Sequence, residues 1–258
     1  MKIKKILLLL FIFVRLYGWE DSDMDGVSNI DDLCPNTKFE YLVDNIGCPI
    51  DGSIGRLSLI LGSNINIYDS ISSQDYNFFV KYSYKLWALS LYTSQESTDS
   101  VDLSTGDLYI SLHYNIIGDR LSTKLSLGAK IAIGDDEIST GEHDYFTSIN
   151  LKYLISSNLR LISNLNYTIT GDNSKTSYKN PIGYSLGLGY NMGDKWYMEL
   201  YYQNSNSIYE GSDNYSSISI SGSYNFTDNI WATIGYTNGL DNLSYSDIFS
   251  LKVGVSFE

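Results

Sequence analysis

Acidic residues alternate near the N-terminus, in the stretch DSDMDGVSNIDD. Asp21, Asp23 and Asp25 precede Gly26, and Asp32 holds the twelfth position of the stretch. Carboxylates at this spacing can converge on one hard cation, and the glycine permits the sharp turn that such a loop needs. A solvated acidic linker would explain the composition but not the spacing. The pattern predicts a Ca2+ site formed by Asp21, Asp23, Asp25, the Val27 carbonyl, Asn29 and Asp32.

Two cysteines, Cys34 and Cys48, follow the acidic stretch and are the only cysteines of the chain. In an exported protein the oxidising environment favours their pairing, so we predict one disulfide that closes a short loop. The alternative is a metal site with two thiolates, but this segment offers no further ligands of the same kind.

The segment 21–49 resembles a thrombospondin type 3 repeat. The resemblance rests on the DxDxDG core, "CPNT", "VD" and "GCP". It implies a small calcium-binding module of the kind that serves as a stalk or linker in bacterial envelope proteins. Met24 and Asn29 depart from the repeat and imply weaker binding. We expect residues 19–54 to form a periplasmic module. Whether this module contacts another envelope component is left open by the sequence.

The N-terminus has the layout of a secretory signal. Lys2, Lys4 and Lys5 precede an apolar run that is too short to cross a bilayer as a helix, so we predict a signal peptide at residues 1–18. The whole chain has 17 Lys and Arg against 30 Asp and Glu, and the signal peptide contains four of the basic residues. The mature chain is therefore strongly acidic, and nucleic acid is excluded as a probable class of partner.

Residues 55–258 show the period of β-strands throughout. Apolar residues occupy every second position over runs of about ten residues, as in Leu57, Leu59 and Leu61, which is typical of membrane-crossing strands. Twelve such runs occur, and long polar connections alternate with short turns. A soluble β-sandwich would have shorter strands and unsorted loops. The pattern predicts an all-β fold, a 12-stranded antiparallel transmembrane β-barrel in the bacterial outer membrane.

The last strand supports this location. The sequence "FSLKVGVSFE" resembles the C-terminal signal by which outer-membrane barrels are recognised for insertion, although Glu258 follows the usual terminal aromatic residue. Long polar loops should then face the cell exterior, among them the connections predicted at 66–75 and 94–106. The acidic loop at 134–144 is expected to bridge lipid and lipopolysaccharide phosphates through divalent ions, or to be simply solvated.

The positions that alternate with the apolar residues should face the lumen. Among them cations far outnumber acids, because Glu199 is the one acidic side chain at a predicted inward position. Such a lumen suits a small anionic solute, for instance an acidic sugar, whereas the alternative is a packed polar network that transports nothing. The predicted basic lumen residues are Arg56, Lys81, Arg120, Lys124, Lys130, Lys152, Arg160 and Lys252.

Catalysis receives little support from the sequence. His113 shares its predicted face with Ser111 and Asn115, but residues two apart on one strand project in parallel and suit a nucleophile and its base poorly. His143 lies in an outer loop, where an exposed histidine needs no catalytic explanation. We therefore predict no enzyme, and a porin-like channel for small anionic solutes. The alternatives are a structural or interaction barrel and a lipid-modifying hydrolase.

Overall fold

The described part of the chain begins within the acidic stretch. The predicted signal peptide, Asp25 and Gly26 lie outside it. The computed structural model describes residues 21, 23, 27–35, 37, 43–44, 46–49, 55–68, 71–84, 86–98, 101–118, 120–135, 139, 142–171, 178–193, 195–209, 211–241 and 247–257.

The described residues form antiparallel β-strands, and they contain no helix long and apolar enough to span a membrane. The strands are β1 (Arg56–Tyr68), β2 (Ile71–Tyr84), β3 (Trp87–Thr98), β4 (Val101–Thr105), β5 (Leu108–Ile117), β6 (Leu121–Ile131), β7 (Asp144–Leu154), β8 (Leu159–Ile169), β9 (Ile182–Asn191), β10 (Trp196–Ser205), β11 (Tyr215–Thr227), β12 (Ile230–Gly239) and β13 (Asp247–Phe257).

Twelve of these strands close into a barrel, as predicted. β1 pairs with β2 on one side and with β13 on the other, so no edge is left between the first and last strands. Closure pairs the backbone amides and carbonyls with one another, which a lipid-facing sheet requires. The short β4 stands outside the ring and pairs with the outer end of β3, while the inner part of β3 pairs with β5.

The two predicted loops at 66–75 and 94–106 are largely strand. β1 continues to Tyr68 and β2 begins at Ile71, while the second region contains the end of β3 and all of β4. The sequence prediction failed there because these strand ends carry polar residues on their inner face. Asn66 and Asp75 are buried in the lumen, where amides and carboxylates replace the usual packing.

The two faces of the barrel follow the predicted alternation. On β13, for example, Phe249, Leu251 and Val253 are exposed toward the lipid, whereas Ser256 and Gly254 face inward and are buried. Glycine at position 254 is required by a close approach, because a Cβ there would overlap the Trp231 ring on the neighbouring strand. Outward apolar and inward polar side chains are what an outer-membrane barrel needs.

The described residues before β1 pack around a disulfide between Cys34 and Cys48. Leu33 and Ile46 are buried against it and form a small apolar cluster. The Leu33 amide donates to the Ile46 carbonyl, and the Thr37 hydroxyl bonds to the Gly47 carbonyl at 2.7 Å. These contacts fold the segment into a compact unit, although it contributes no strand to the barrel.

Candidate functional site

Five basic side chains gather in the inner half of the barrel, the half nearest to the start of β1. All five lie near the same end of the barrel: some stand near the start of their strand and the others near the end, because neighbouring strands run in opposite directions. Four of them are almost completely buried, and the Lys124 side chain is partly buried. The five are Arg56 on β1, Lys81 on β2, Lys124 on β6, Lys152 on β7 and Arg160 on β8.

Asp31 of the N-terminal segment lies between two of these cations. Its Oδ1 pairs with Lys81 Nζ and its Oδ2 pairs with Lys124 Nζ. The hydroxyl of Ser28 also donates to Asp31 Oδ2 at 2.6 Å. One carboxylate from residues 21–49 therefore bridges β2 and β6 across the lumen.

Asp21 makes a second bridge of the same kind. Its Oδ2 lies 3.2 Å from Lys152 Nζ and also pairs with Arg160 Nη1. All three side chains are fully buried. Because a buried charge is costly unless it is paired, these contacts hold both the carboxylate and the two cations in place.

Backbone carbonyls of the same segment complete the contact. Lys81 Nζ donates to the Ile30 carbonyl at 2.5 Å, and Arg56 Nη1 donates to the Asp32 carbonyl at 3.2 Å. We predicted a periplasmic module set apart from the lumen, but these contacts place its acidic loop inside the barrel instead. The sequence patterns of the acidic loop and of the barrel are consistent with a loop in the periplasm or in the lumen. Only the ion pairs between loop and barrel determine where the loop lies.

The lumen cations set the protonation of the segment. Burial alone would raise the pKa of Asp31, but Lys124 and Lys81 hold it well below its ordinary value. The ion pairs of a carboxylate with a lowered pKa stabilise the folded state above its ordinary pKa. They are lost only as the pH falls through the lowered value. The Asp31 contact therefore persists into acidic conditions.

The remaining predicted lumen cations have different surroundings. Lys130 is buried in the outer half, with Nζ 3.5 Å from Asp107 Oδ2 and 3.2 Å from Asp144 Oδ2. Lys252 faces the lumen and is half-buried. Arg120 is exposed and lies in the turn before β6, where the strand alternation has not yet begun, so its position in the lumen stays a prediction.

The lumen also contains more acids than predicted. Asp75, Glu96, Asp107 and Asp144 are buried, whereas the sequence analysis placed them in outer loops or at their borders. The alternation of β2 and β3 through these positions was the signal that could have identified Asp75 and Glu96. The excess of cations therefore belongs to the inner half of the barrel, not to its whole length.

The predicted calcium ligands are brought together only in part. Asp32 Oδ1 accepts from the Cys34 amide at 2.8 Å, while Asp32 Oδ2 is buried and has no hydrogen-bond partner among the described residues. Burial and the nearby Asp23 raise the pKa of Asp32 well above its ordinary value. No group of three His, Cys, Asp or Glu converges within the described residues, which omit Asp25. Asp23 and Asp32 fit a cation best.

The two histidines occupy unrelated positions. His113 lies between two hydroxyls from neighbouring strands, with Nε2 2.8 Å from Ser90 Oγ and Nδ1 2.9 Å from Ser126 Oγ. Its Ser111 and Asn115 neighbours on the same strand are not its partners in these bonds. His143 is exposed, and its Nδ1 accepts from the Ala132 amide at 3.1 Å. Both ring nitrogens of His113 contact hydroxyls, and among the described residues neither nitrogen contacts a carboxylate that would orient the ring as a base.

A family model described as "Putative MetA-pathway of phenol degradation" matches residues 57–253, more than half of the chain. The chain belongs to this family. No curated protein matches the chain in sequence. The family match of the MetA-pathway model covers the barrel and leaves the N-terminal segment outside it.

Solved structures with the same fold are porins and channels by their own descriptions. The NanC porin is 14% identical with a TM-score of 0.57, and covers 78% of this chain and 99% of its own. An outer membrane channel from Pseudomonas putida F1 is 11% identical with a TM-score of 0.61, covering 80% and 95%. The KdgM porin in complex with disordered oligogalacturonate is 9% identical with a TM-score of 0.56, covering 78% and 98%.

These likenesses confirm the fold predicted from the sequence. This MetA-pathway family member is a porin-like outer-membrane β-barrel with twelve strands in its ring. The matched structures are described as channels or porins, and the absence of an enzymatic activity stays a prediction for this chain. None of the likenesses extends to calcium or to a thrombospondin type 3 repeat, so both stay predictions.

Proposed function

We propose that this protein is a channel for small anionic solutes, with the basic inner half of its lumen as the selectivity region. The observation that carries this proposal is the pairing of Lys81, Lys124, Lys152 and Arg160 with carboxylates. A lumen that binds the carboxylates of its own chain has the chemistry to bind those of a solute. Charged rings and clusters of this sign select anions in pores.

Acidic sugars are the solute class that we favour. Aromatic side chains line the lumen together with the cations, and Tyr92 and Tyr109 lie with ring centroids 5.6 Å apart. Sugar rings present apolar faces that pack on aromatic rings, while their carboxylates pair with Lys and Arg. The description of KdgM, a protein of the same fold, names oligogalacturonate, an acidic sugar.

Transport through this lumen requires the N-terminal segment to move. Asp21 and Asp31 occupy the cations that a solute would use, so segment and solute compete for the same side chains. The segment thus holds the channel closed at rest, and its displacement exposes a site already suited to anions. We propose that the segment lies at the periplasmic end of the barrel, where a further envelope component can reach it.

Ion selectivity tests the proposed function. The variant with Asp21→Asn and Asp31→Asn, in which the segment is released, is expected to prefer chloride over potassium in a planar bilayer with a KCl gradient. Adding Lys152→Gln and Arg160→Gln should lower that preference, because two buried cations leave the path. The exposed Lys195→Gln is the matched control near the same end of the barrel, and it should leave the reversal potential unchanged.

Two results would contradict the proposal in different ways. A reversal potential that favours potassium would rule out anion selectivity but leave a channel. A barrel that stays without conductance, even when residues 19–54 are deleted, would favour the structural or interaction protein.

We also propose that the N-terminal loop binds Ca2+, held by Asp21, Asp23, Asp25, the Val27 carbonyl, Asn29 and Asp32. The support is the buried, unpartnered Asp32 Oδ2 close to Asp23. The two carboxylates repel each other when both are ionised, and a bound divalent cation would compensate both charges. The Oδ2 of Asp21 is already paired with Lys152 and Arg160, so this residue has the least capacity left for a metal.

Calorimetry tests the calcium proposal. Asp23→Asn and Asp32→Asn are each expected to weaken Ca2+ binding by about tenfold or more, because a charged ligand is lost. Binding should also strengthen from acidic to neutral pH. Asp32 must be deprotonated before it can bind the cation, and its raised pKa keeps it protonated to a higher pH than an ordinary aspartate. Asp213→Asn, an exposed loop variant of equal charge change, is the control. Equal affinities for all variants would refute this site.

A further inference from the structure

A second, separate group of buried acids lies in the outer half of the lumen. Asp75 on β2 and Glu96 on β3 are direct cross-strand partners. Both side chains face inward, with exposures of only 3% and 4%. They lie far along their strands from the cations that hold the N-terminal segment, and the proposed anion site does not use them.

The row that contains these acids runs across four strands. Asn64 of β1 is opposite Asp75, Asp75 is opposite Glu96, and Glu96 is opposite Ser104 of β4. All four side chains are buried. Each of them carries at least one oxygen, so the row presents a continuous set of hard ligands to the lumen.

The neighbouring inward positions extend this chemistry on both sides of the row. Asn66 and Ser73 lie nearer the outer rim, and Asn77 and Ser94 lie one step deeper. All four are buried, and all carry oxygen. This inward-facing patch thus presents carboxylates, amides and hydroxyls, which are the groups that coordinate calcium in proteins.

The two carboxylates are only partly satisfied. Asp75 Oδ2 accepts from Asn66 Nδ2 at 2.9 Å, Asn64 also hydrogen-bonds to the Asp75 carboxylate, and Ser73 hydrogen-bonds to Glu96. Asp75 Oδ1 and Glu96 Oε1 are buried and have no hydrogen-bond partner in the described part of the chain. Neither carboxylate forms an ion pair with a described Lys, Arg or His, whereas the other buried pair of acids, Asp107 and Asp144, shares Lys130.

Two adjacent buried carboxylates cannot both be ionised without a compensating charge. A shared proton would neutralise only one of them and would leave one negative charge buried between β2 and β3. A divalent cation neutralises both and also satisfies the two unpartnered oxygens. The surrounding amides and hydroxyls can complete its coordination, and water in the lumen can supply further ligands.

We propose that Asp75 and Glu96 form a binding site for a hard divalent cation, of which Ca2+ is the representative, with oxygen ligands from the same row. The cation joins β1, β2 and β3 at the outer end of the barrel. It also removes two negative charges from the route of an entering anion. The site is independent of the calcium loop at the N-terminus and of the anion site.

Calcium calorimetry on the full chain, refolded in detergent, tests this site. A background with Asp23→Asn and Asp32→Asn removes the N-terminal loop as a competing site. This background is expected to bind Ca2+ still, and adding Asp75→Asn and Glu96→Gln should weaken that binding by about 100-fold or more. Adding the exposed Asp213→Asn instead should leave the affinity unchanged. Heat-modifiable mobility on a gel checks that each barrel has folded.

A second measurement covers variants that fold poorly. Ca2+ should raise the unfolding temperature of the background chain, and the single conservative change Glu96→Gln should reduce this increase. A background chain that neither binds Ca2+ nor gains thermal stability from it would overturn the proposal and favour a shared proton. Binding that survives Asp75→Asn with Glu96→Gln would place the cation elsewhere.

Discussion

Replacing Asp21 and Asp31 by asparagine is expected to open the barrel. Each carboxylate joins two cations, all of them buried except the partly buried Lys124, and removing one partner of a buried ion pair costs about 3–5 kcal/mol. The closed state should lose population by a factor of about 100 or more, because the freed lysines and Arg160 gain hydration only once the segment leaves. Single-channel recording in a planar bilayer should show long open periods that the unmodified chain seldom reaches.

The two matched variants for this experiment differ in where the charge is lost. Asp213→Asn removes one carboxylate from an exposed outer loop and should leave the closed state intact. Deletion of residues 19–54 removes the segment altogether and sets the conductance of the fully open barrel. If the unmodified chain already conducts as well as the deletion, the segment does not close the lumen.

Replacing Lys130 by methionine is expected to destabilise the outer half of the barrel by about 3–5 kcal/mol. Lys130 is the cation shared by Asp107 and Asp144, and all three side chains are buried. Asp107 also accepts from the Gly134 amide at 2.9 Å and from the Ser139 hydroxyl at 2.8 Å. Loss of the ammonium would leave two carboxylates competing within one site, and the 132–143 connection would lose its anchor.

Denaturant unfolding in detergent, together with proteolysis of the outer loops, measures this effect. Lys179→Met is the control, since it removes an equal charge from an exposed outer position. Adding Asp107→Asn and Asp144→Asn to Lys130→Met should recover much of the lost stability, because the group is then neutral throughout. A Lys130→Met chain as stable as the unmodified one would show that the ion pairs contribute little.

The sequence predicted the barrel well because membrane strands record their environment in a local pattern. Leu251 and Val253 face lipid while Lys252 faces the lumen, and this alternation can be counted without knowledge of any neighbour. The same pattern identified the buried cations Lys81, Lys152 and Arg160. It failed at Asp75 and Glu96, where polar strand ends resemble a loop.

The sequence by itself determined the fold, the number of strands in the ring, the inward positions and the pair of cysteines. Only the tertiary structure decided where the acidic N-terminal loop lies and which cations it meets. The physical reason is that the two aspartates pair with cations far away in the chain. Asp21 and Arg160, for example, are 139 residues apart, and Asp31 pairs with Lys81 and Lys124 in the same way. The sequence shows that the two segments carry opposite charges and can pair. Whether these charges do pair is determined by closure of the ring and by burial of the side chains inside it.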